Sequence, residues 1–289
     1  AMFVKKSKEL LFVDPIDQIN RNSSLFRVYP ARKANYNRAE IANSSTPRGS
    51  PCRSEASKNE IEVLLKTSVT SFQGSPSSAL DMKRQAIVFR IALVGTIDYA
   101  AFHGGTKTAV LQAFATLIQR INGIFSQELG VRFQLIEGNE RLICLPGDET
   151  DRDCQLLANP SALMYTAEKF IKARGVQSHE FDLSHTLSTH SIAQATFQSL
   201  CSRYKSRATT GLAEPINDLF FVDYVAHEIA HQLGGGHVFK HCPSSAQQAQ
   251  PGTAVEPGSG STILGYAGLC GESNLDLRSE PYFAATGIQ

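Results

Sequence analysis

The stretch AHEIAHQLGGGHVF, residues 226–239, holds three histidines and one glutamate, and three glycines stand before the last histidine. Residues four apart on an α-helix lie on one face, a single turn from each other. His227 and His231 therefore present two imidazoles to one ion. A zinc ion needs a further protein ligand from another direction, which a straight helix does not supply.

Gly234 explains how a third histidine can reach the same ion. Glycine adopts a left-handed conformation without steric cost, so Gly234 is predicted to end the helix and turn the chain back toward the metal. His237 then approaches from outside the helix. Three neutral imidazoles leave a position for water, and Glu228 is placed to take a proton from that water and pass it to a leaving amine. If only His227 and His231 are considered, the alternative is a helix that carries two histidines in the core.

The bulk composition sets broad limits on the protein. The chain has 289 residues with 42% hydrophobic content, enough for an ordinary buried core, and a net charge of +1 that gives no indication of nucleic acid as a partner. An apolar run of about 18 residues is absent from the sequence, so no membrane insertion is expected. The N-terminus, AMFVKKSKELLFV, lacks the apolar region of a signal peptide. Either the protein is cytosolic or a signal peptide was removed before this chain begins.

Six cysteines allow up to three disulfides, and they stand at positions 52, 144, 154, 201, 242 and 270. None is in a CxxC pair, which argues against a cysteine zinc cluster. Cys144 and Cys154 flank the polar loop LPGDETDRD, the kind of segment that a disulfide pins. The even count favours an oxidising compartment, and the alternative is six reduced thiols in a cytosolic protein.

A change of composition near Lys58 predicts a boundary. A strand candidate, ELLFVDPI, is followed by NSSTPRGSPCRSEASKNE, which has no apolar periodicity and is interpreted as a linker. Residues 59–289 are predicted to form one α/β domain. Its strand candidates are AIVFRIALV, VRFQLIE, RLICL and FDLSHTLS.

Three helices are predicted in this domain. The first spans residues 106–129, and the second begins at Asn159-Pro160 and runs to Gly175. The third covers residues 218–233, with Asp218 as its N-cap. The tail from Ser244 to Gly271 is glycine-rich and loop-like, and a last short helix is expected at SEPYFAA.

Three stretches carry a family resemblance: TIDYAAFHGGT, DLFFVDYVAHEIAHQLGGGHVF and AVEPGSGSTILGYAGLCG. Together they resemble the catalytic domain of secreted bacterial reprolysin-like peptidases, which are metzincin zinc metalloproteases, over about residues 85–285. The resemblance implies a mixed twisted sheet with long helices and an active-site helix in an upper subdomain. It also implies an irregular lower subdomain after His237, with the cleft between the two. A secreted, extracellular, periplasmic or cell-surface location follows, with the signal peptide absent from this chain.

The family carries a methionine in a tight turn beneath the zinc, and this chain departs from that pattern. In STILGYAG, Leu264 stands where methionine is expected. Leucine is equally apolar and close in volume, and such exchanges cost under about 1.5 kcal/mol, so the site is expected to survive. In some metzincins a tyrosine at the spacing of Tyr266 reaches the zinc or stabilises the tetrahedral intermediate. The alternative for Tyr266 is a packed aromatic in the wall of the specificity pocket.

Other polar residues are weaker candidates. His241 follows the third histidine closely and would be a spare ligand, whereas His185 and His190 are expected to be structural or to face solvent. Calcium is a second candidate ion, because oxygen ligands could come from four side chains near the end of the chain, namely Glu256, Glu272, Asn274 and Asp276.

Cys52 raises the question of latency. The segment LLFVDPIDQINRNSSLFRVYPARK resembles the end of a propeptide, so residues 1–58 are interpreted as a propeptide remnant and linker. A thiolate from Cys52 can occupy the open zinc position and keep the enzyme latent. Against that, Arg53 follows where the usual switch has glycine, and a zinc-bound Cys52 leaves an odd number of cysteines. A disulfide is the alternative.

The predicted function is a zinc-dependent endopeptidase that cleaves polypeptides through a zinc-bound water activated by Glu228. Its own N-terminal segment is the expected inhibitor. One alternative is a zinc-stabilised peptide- or protein-binding domain with little or no turnover. Another is a thermolysin-like protease that shares only HExxH, which would need a glutamate ligand on a later helix.

Overall fold

The computed structural model of the chain describes residues 2–6, 9–15, 26–30 and 87–288. The N-terminal strands β1 (Met2–Lys6), β2 (Glu9–Pro15) and β3 (Phe26–Pro30) form a three-stranded antiparallel sheet in the order β1-β2-β3. Strand β2 coincides with the strand predicted at ELLFVDPI. The predicted linker, the boundary near Lys58 and Cys52 lie outside the described residues.

The main sheet has five strands in the order β5-β4-β6-β8-β7. The strands are β4 (Ile87–Gly95), β5 (Val131–Leu135), β6 (Leu183–Ser188), β7 (Ile192–Ala195) and β8 (Ala208–Gly211). Parallel pairs join β4 to β5 and β6, and β6 to β8, whereas β7 runs antiparallel to β8 at the edge. The predicted mixed sheet is therefore present.

Helices cover both faces of this sheet. They are α1 (Ile97–Phe102), α2 (Lys107–Glu128), α3 (Leu163–Ala173), a π-helix (Leu219–Ala226) and α4 (His227–Gln232). Ile91 and Leu93 of β4 belong to one buried cluster with α2 and the π-helix, while Ala92 and Val94 pack into a second cluster with α3. Residues 91–95 of β4 are all buried, so both faces of this half of the strand are covered, and its sequence is a continuous apolar run, as expected for a central parallel strand.

The long helices begin at polar side chains that cap them. Thr106 accepts a hydrogen bond from the Ala109 amide at the start of α2, as the sequence predicts for a helix from residue 106. At the second helix, the Asn159 side chain accepts from the Ser161 amide, and a 3-10 turn, Pro160–Ala162, leads into α3.

The strand predicted at RLICL is wrong. The chain there forms a 3-10 helix, Asn139–Leu142, and only Ile143 makes a bridge, to Gly95 of β4. The Asn139 side chain explains the difference, because its amide accepts from the Leu93 N–H at 3.0 Å and donates to the Leu93 carbonyl at 2.8 Å. A side chain thus satisfies the backbone groups of β4 that another strand would pair.

The predicted tail from Ser244 to Gly271 is irregular, with 3-10 turns at Pro243–Gln248 and Gly271–Ser273 at its two ends. Further short 3-10 turns lie elsewhere in the chain, at Cys154–Leu157, Ser178–Glu180 and Ala285–Ile288. The helix predicted at SEPYFAA is wrong, since helical turns start only at Ala285. Strands β7 and β8 were not predicted.

Two disulfides link described residues, Cys144–Cys154 and Cys242–Cys270. The first confirms the expectation for the loop LPGDETDRD. Within the described part of the chain Cys201 is the free cysteine, and it is exposed. In the same residues, no helix combines the length and apolar character needed to cross a membrane.

Candidate metal centre

The segment that carries the first two histidines is helical from residue 219 to residue 232, and we call it the histidine helix. Its first eight residues have π-helical hydrogen bonding, a form often found near functional sites. Asp218 precedes the helix, as predicted, but its side chain makes no cap hydrogen bond. It accepts instead from Nε of the fully buried Arg120 of α2, at 2.6 Å. A buried guanidinium is a stronger partner for the carboxylate than a backbone amide.

The helix ends where the glycine run begins, as predicted. Gly234 has φ +101°, a value that favours glycine. The Gly234 amide donates to the His231 carbonyl at 2.9 Å and the Gly235 amide donates to the Ala230 carbonyl at 2.8 Å, which closes the last turn. The chain then reverses, and His237 returns beneath the helix.

This reversal brings the three imidazoles together. The Nε2 atoms of His227 and His231 are 3.1 Å apart, those of His231 and His237 are 3.0 Å apart, and those of His227 and His237 are 3.3 Å apart. Nitrogen ligands at about 2.0–2.1 Å from a tetrahedral zinc ion would be roughly 3.3 Å from each other. The spacing of the three atoms therefore fits a single zinc ion.

Backbone carbonyls fix the orientation of every ring. Nδ1 of His227 faces the Ile263 carbonyl at 2.5 Å, Nδ1 of His231 faces Gly235 at 2.7 Å, and Nδ1 of His237 faces Gln248 at 2.9 Å. Because a carbonyl only accepts, each Nδ1 carries the proton and each Nε2 presents a lone pair. Three lone pairs on atoms 3.0–3.3 Å apart that point toward one another repel unless a cation lies between them. This donor set is the second reason that the residues fit a metal.

The environment keeps the rings uncharged. All three histidines are buried. Burial lowers the pKa of His231 to about 4 and the pKa of His237 well below 6.5, where the neighbouring His231 adds to the effect. Neutral imidazole is the form that binds a metal ion. Glu228 follows His227 directly in α4 and is fully buried.

The turn at residues 262–265 lies against the histidines, with the Gly265 amide donating to the Thr262 carbonyl at 2.8 Å. Leu264 is fully buried there, and a Cβ added at Gly235 would lie 2.8 Å from its Cδ1. The turn contacts the site through backbone groups, since the Ile263 carbonyl binds His227 and the Leu264 carbonyl accepts from the Val238 amide at 3.2 Å. Side-chain volume is what position 264 must supply, and leucine supplies it.

Tyr266 is buried in a small aromatic cluster. Its ring stacks on Phe239 at 4.4 Å and lies 4.9 Å from the ring of His237. Its hydroxyl donates to Oε1 of Gln248 at 2.5 Å. This placement agrees with the packed-aromatic interpretation, and a catalytic role for Tyr266 stays a prediction.

The remaining candidates lie outside the cluster. His241 is exposed, and His185 is buried against Thr210 and Gln232. Calcium is not supported: within residues 87–288, the histidine triad is the one group of three or more histidine, cysteine, aspartate or glutamate side chains that comes together. Glu256 Oε2 instead accepts from the backbone amides of Ser261 and Thr262.

Comparison with known proteins identifies the family. The model for metallo-peptidase family M12B, reprolysin-like, matches residues 85–288. The chain belongs to this family. The predicted resemblance to reprolysin-like metzincins, the fold class and the enzyme class, a zinc metalloprotease, are thereby confirmed. Membership also implies a metal, typically zinc, and a polypeptide substrate.

Solved structures give more distant similarities. Archaemetzincin from Methanopyrus kandleri is 15% identical over 72% of this chain and 94% of that chain, with a TM-score of 0.34. Myroilysin is 13% identical over 69% of this chain and 80% of that chain, with a TM-score of 0.36. None of the curated proteins compared with the chain matches it significantly.

Proposed function

We propose that this reprolysin-like protein is an endopeptidase whose zinc ion is held by Nε2 of His227, His231 and His237. The observation that carries the proposal is the triangle of Nε2 atoms, 3.0–3.3 Å on a side, with every Nδ1 occupied by a backbone carbonyl. Such a triangle leaves a fourth ligand position open, which distinguishes a catalytic zinc site from a structural one.

The chemistry divides between the ion and the chain. When bound, zinc supplies a Lewis acid that polarises a carbonyl oxygen and makes water a better nucleophile at neutral pH. Glu228 takes a proton from the attacking water and delivers it to the nitrogen of the leaving amine. The buried histidines stay neutral, so the positive charge of the ion is not reduced by its ligands. Tyr266 forms part of the wall beside His237, where its hydroxyl is held by Gln248.

Replacing Glu228 by alanine tests the assignment, both in the full chain and in a chain of residues 59–289 that lacks the front segment. We expect cleavage of an unstructured protein such as casein to fall by roughly 100-fold or more, because proton transfer by a positioned side chain contributes about 10²–10⁴-fold. Zinc content, measured by atomic absorption, should stay at one ion per chain, since Glu228 is not a ligand. A chelator should abolish cleavage by the unaltered protein.

His237→Ala is the complementary variant and should lose zinc as well as activity. Normal cleavage by Glu228→Ala would overturn the mechanism. Stoichiometric zinc without any cleavage, after removal of the residues before Asn59, would favour a zinc-stabilised binding domain. Unchanged zinc affinity in His237→Ala would point to a thermolysin-like ligand set.

We further infer that residues 1–58 are a propeptide remnant and linker that inhibits the domain at 59–289, in a secreted protein. The family match begins at residue 85 and leaves the front segment outside it. The two disulfides are in keeping with an oxidising compartment. With four cysteines paired, a disulfide of Cys52 within the chain would have Cys201 as its partner. The other role open to Cys52 is a thiolate on the zinc.

A further inference from the structure

His237 differs from the other two histidines because it does not stand on a helix. The positions of His227 and His231 follow from the hydrogen bonds of the histidine helix. The position of His237 depends on contacts made after the chain has reversed. Two of these contacts come from one segment, residues 242–254, which we call the His237 loop.

The His237 loop holds His237 at its ring and at its backbone. The Gln248 carbonyl accepts from Nδ1 of His237 at 2.9 Å, and Oγ1 of Thr253 donates to the His237 carbonyl at 2.5 Å. Thr253 is itself fixed, since its amide donates to the Gln250 carbonyl at 3.0 Å. A Cβ added at Gly236 would lie 3.0 Å from Thr253 Oγ1, so a glycine there permits this close approach.

A disulfide closes the His237 loop against the turn beneath the site. Cys242 follows His237 by five residues and is bonded to Cys270, which follows Tyr266 by four. These two cysteines form a buried cluster with Phe239 and Tyr266. The Tyr266 hydroxyl donates to the side chain of Gln248, and the backbone carbonyl of the same Gln248 accepts from His237. One covalent bond thus ties together the groups that orient His237.

We propose that the His237 loop, closed by Cys242–Cys270, sets how tightly the site holds its metal, with Thr253 as a positioning residue for His237. The inference rests on the proposed function in taking His237 as a ligand. Partners that orient a ligating histidine are typically worth about 10- to 100-fold in metal affinity. Loss of the Thr253 hydroxyl should act on this ligand alone, because neither of the helical histidines contacts Thr253 among the hydrogen bonds of the described residues.

The zinc dissociation constant of the full chain tests the inference, measured by competition with a chromophoric chelator. Thr253→Ala removes the hydroxyl, and we expect zinc to bind roughly 10- to 100-fold more weakly. Thr253→Ser keeps an oxygen that can donate to the His237 carbonyl, and its affinity should stay within about threefold of the unaltered protein. If Thr253 only filled space, serine at this position would not restore the zinc affinity. The readout needs no proteolysis, so it is independent of turnover.

The two disulfides offer a matched control. Cys242→Ser/Cys270→Ser should weaken zinc binding, whereas Cys144→Ser/Cys154→Ser removes a disulfide from the cluster on the α3 face and should not. Circular dichroism reports whether each variant folds. If a cysteine variant does not fold, the comparison of Thr253→Ala with Thr253→Ser decides the question. Unchanged affinity in Thr253→Ala, or equal weakening in both cysteine variants, would overturn the inference. An unaltered protein that binds no zinc would overturn the proposed function itself, and it is measured first.

Discussion

At the scale of single residues, the hydrogen-bond partners of each buried imidazole decide where its proton lies. His185 is the example outside the metal centre. The Gln232 side-chain nitrogen donates to the carbonyls of Ser184 and Lys205, both at 3.2 Å, so its oxygen accepts from Nδ1 of His185 at 3.4 Å. Nε2 of His185 then accepts from the Thr210 hydroxyl at 2.8 Å. Gln232 follows His231 directly, so this neutral network joins the histidine helix to strands β6 and β8.

The network predicts a pH dependence of stability. Burial lowers the pKa of His185 to about 4, and its bond to Gln232 offsets part of the effect. The unfolded chain, with a pKa of about 6.5, binds a proton before the folded chain does, so the stabilisation present above pH ~6.5 is lost as pH falls toward ~4. The loss is about 1.4 kcal/mol per pH unit in this window. Urea denaturation of the metal-free chain across this range measures it.

His185→Gln is the control for that measurement, because a glutamine can donate to Gln232 and accept from Thr210 without titrating. The other histidines are the same in both proteins, so their contributions cancel in the difference. The free energy of unfolding of the variant should fall less steeply, by about 1.4 kcal/mol per pH unit. Parallel curves for the two proteins would show that His185 is not held neutral.

The sequence predicts the reactive side chains of the site but not the groups that aim them. His227, His231, His237 and Glu228 follow from helical spacing and from one glycine. The three carbonyls that fix the rings belong to Gly235, Gln248 and Ile263. Every residue has a carbonyl, so no pattern of side chains marks these three. Only the path of the folded chain brings them to the histidines.

At the scale of elements, the start of the histidine helix shows a choice between two partners for one carboxylate. Asp218 stands at the position where a capping side chain is expected, yet it binds Arg120 of α2, and both side chains are buried. Capping is worth typically about 1 kcal/mol, whereas breaking a buried ion pair costs about 3–5 kcal/mol. The ion pair therefore has the larger effect, and it fixes the histidine helix against α2.

Replacing Asp218 by asparagine separates these two roles. Asparagine caps helices as well as aspartate does, so a capping role predicts almost no change. Loss of the charge leaves the Arg120 guanidinium buried without its carboxylate, so we expect the free energy of unfolding to fall by about 3 kcal/mol or more. Urea denaturation measures it. The same change at the more exposed Arg90–Asp182 pair, Asp182→Asn, should cost under about 1 kcal/mol. Equal effects at the two sites would contradict the assignment.

Long periodic elements could be predicted from the sequence, and short ones could not. Helix α2 has 22 residues, enough turns for its apolar stripe to be unmistakable. Strands β7 and β8 have four residues each, mainly alanine, threonine and glycine, and such short runs carry no reliable period. RLICL has the composition of a strand, but the Asn139 side chain already satisfies the backbone of β4 that it would have joined.

At the scale of the whole molecule, the metal centre is assembled from the histidine helix, the reversal that directly follows it and a turn later in the chain. The histidine helix supplies two imidazoles, the reversal after Gly234 supplies the third, and the turn at 262–265 supplies the carbonyl that orients His227. The disulfide Cys242–Cys270 joins the chain just after His237 to the chain just after the turn at 262–265. The three histidines, Glu228 and the carbonyls that orient the rings all lie within residues 227–263, so the front segment supplies none of these groups.

Removal of the front segment tests its proposed inhibitory role. The chain of residues 59–289 should cleave an unstructured protein faster than the full chain, with equal zinc content, because the proposed inhibitor is gone.

Thirty-four residues separate Cys52 from Ile87, which at ~3.3 Å per residue reach roughly 110 Å, so chain length does not keep the thiolate from the zinc. Cys52→Ser in the full chain distinguishes the two roles of this cysteine, since it relieves inhibition only if the thiolate binds zinc. If inhibition persists in Cys52→Ser but is lost on truncation, the rest of the front segment is the inhibitor. Equal cleavage by all three proteins would contradict an inhibitory front segment.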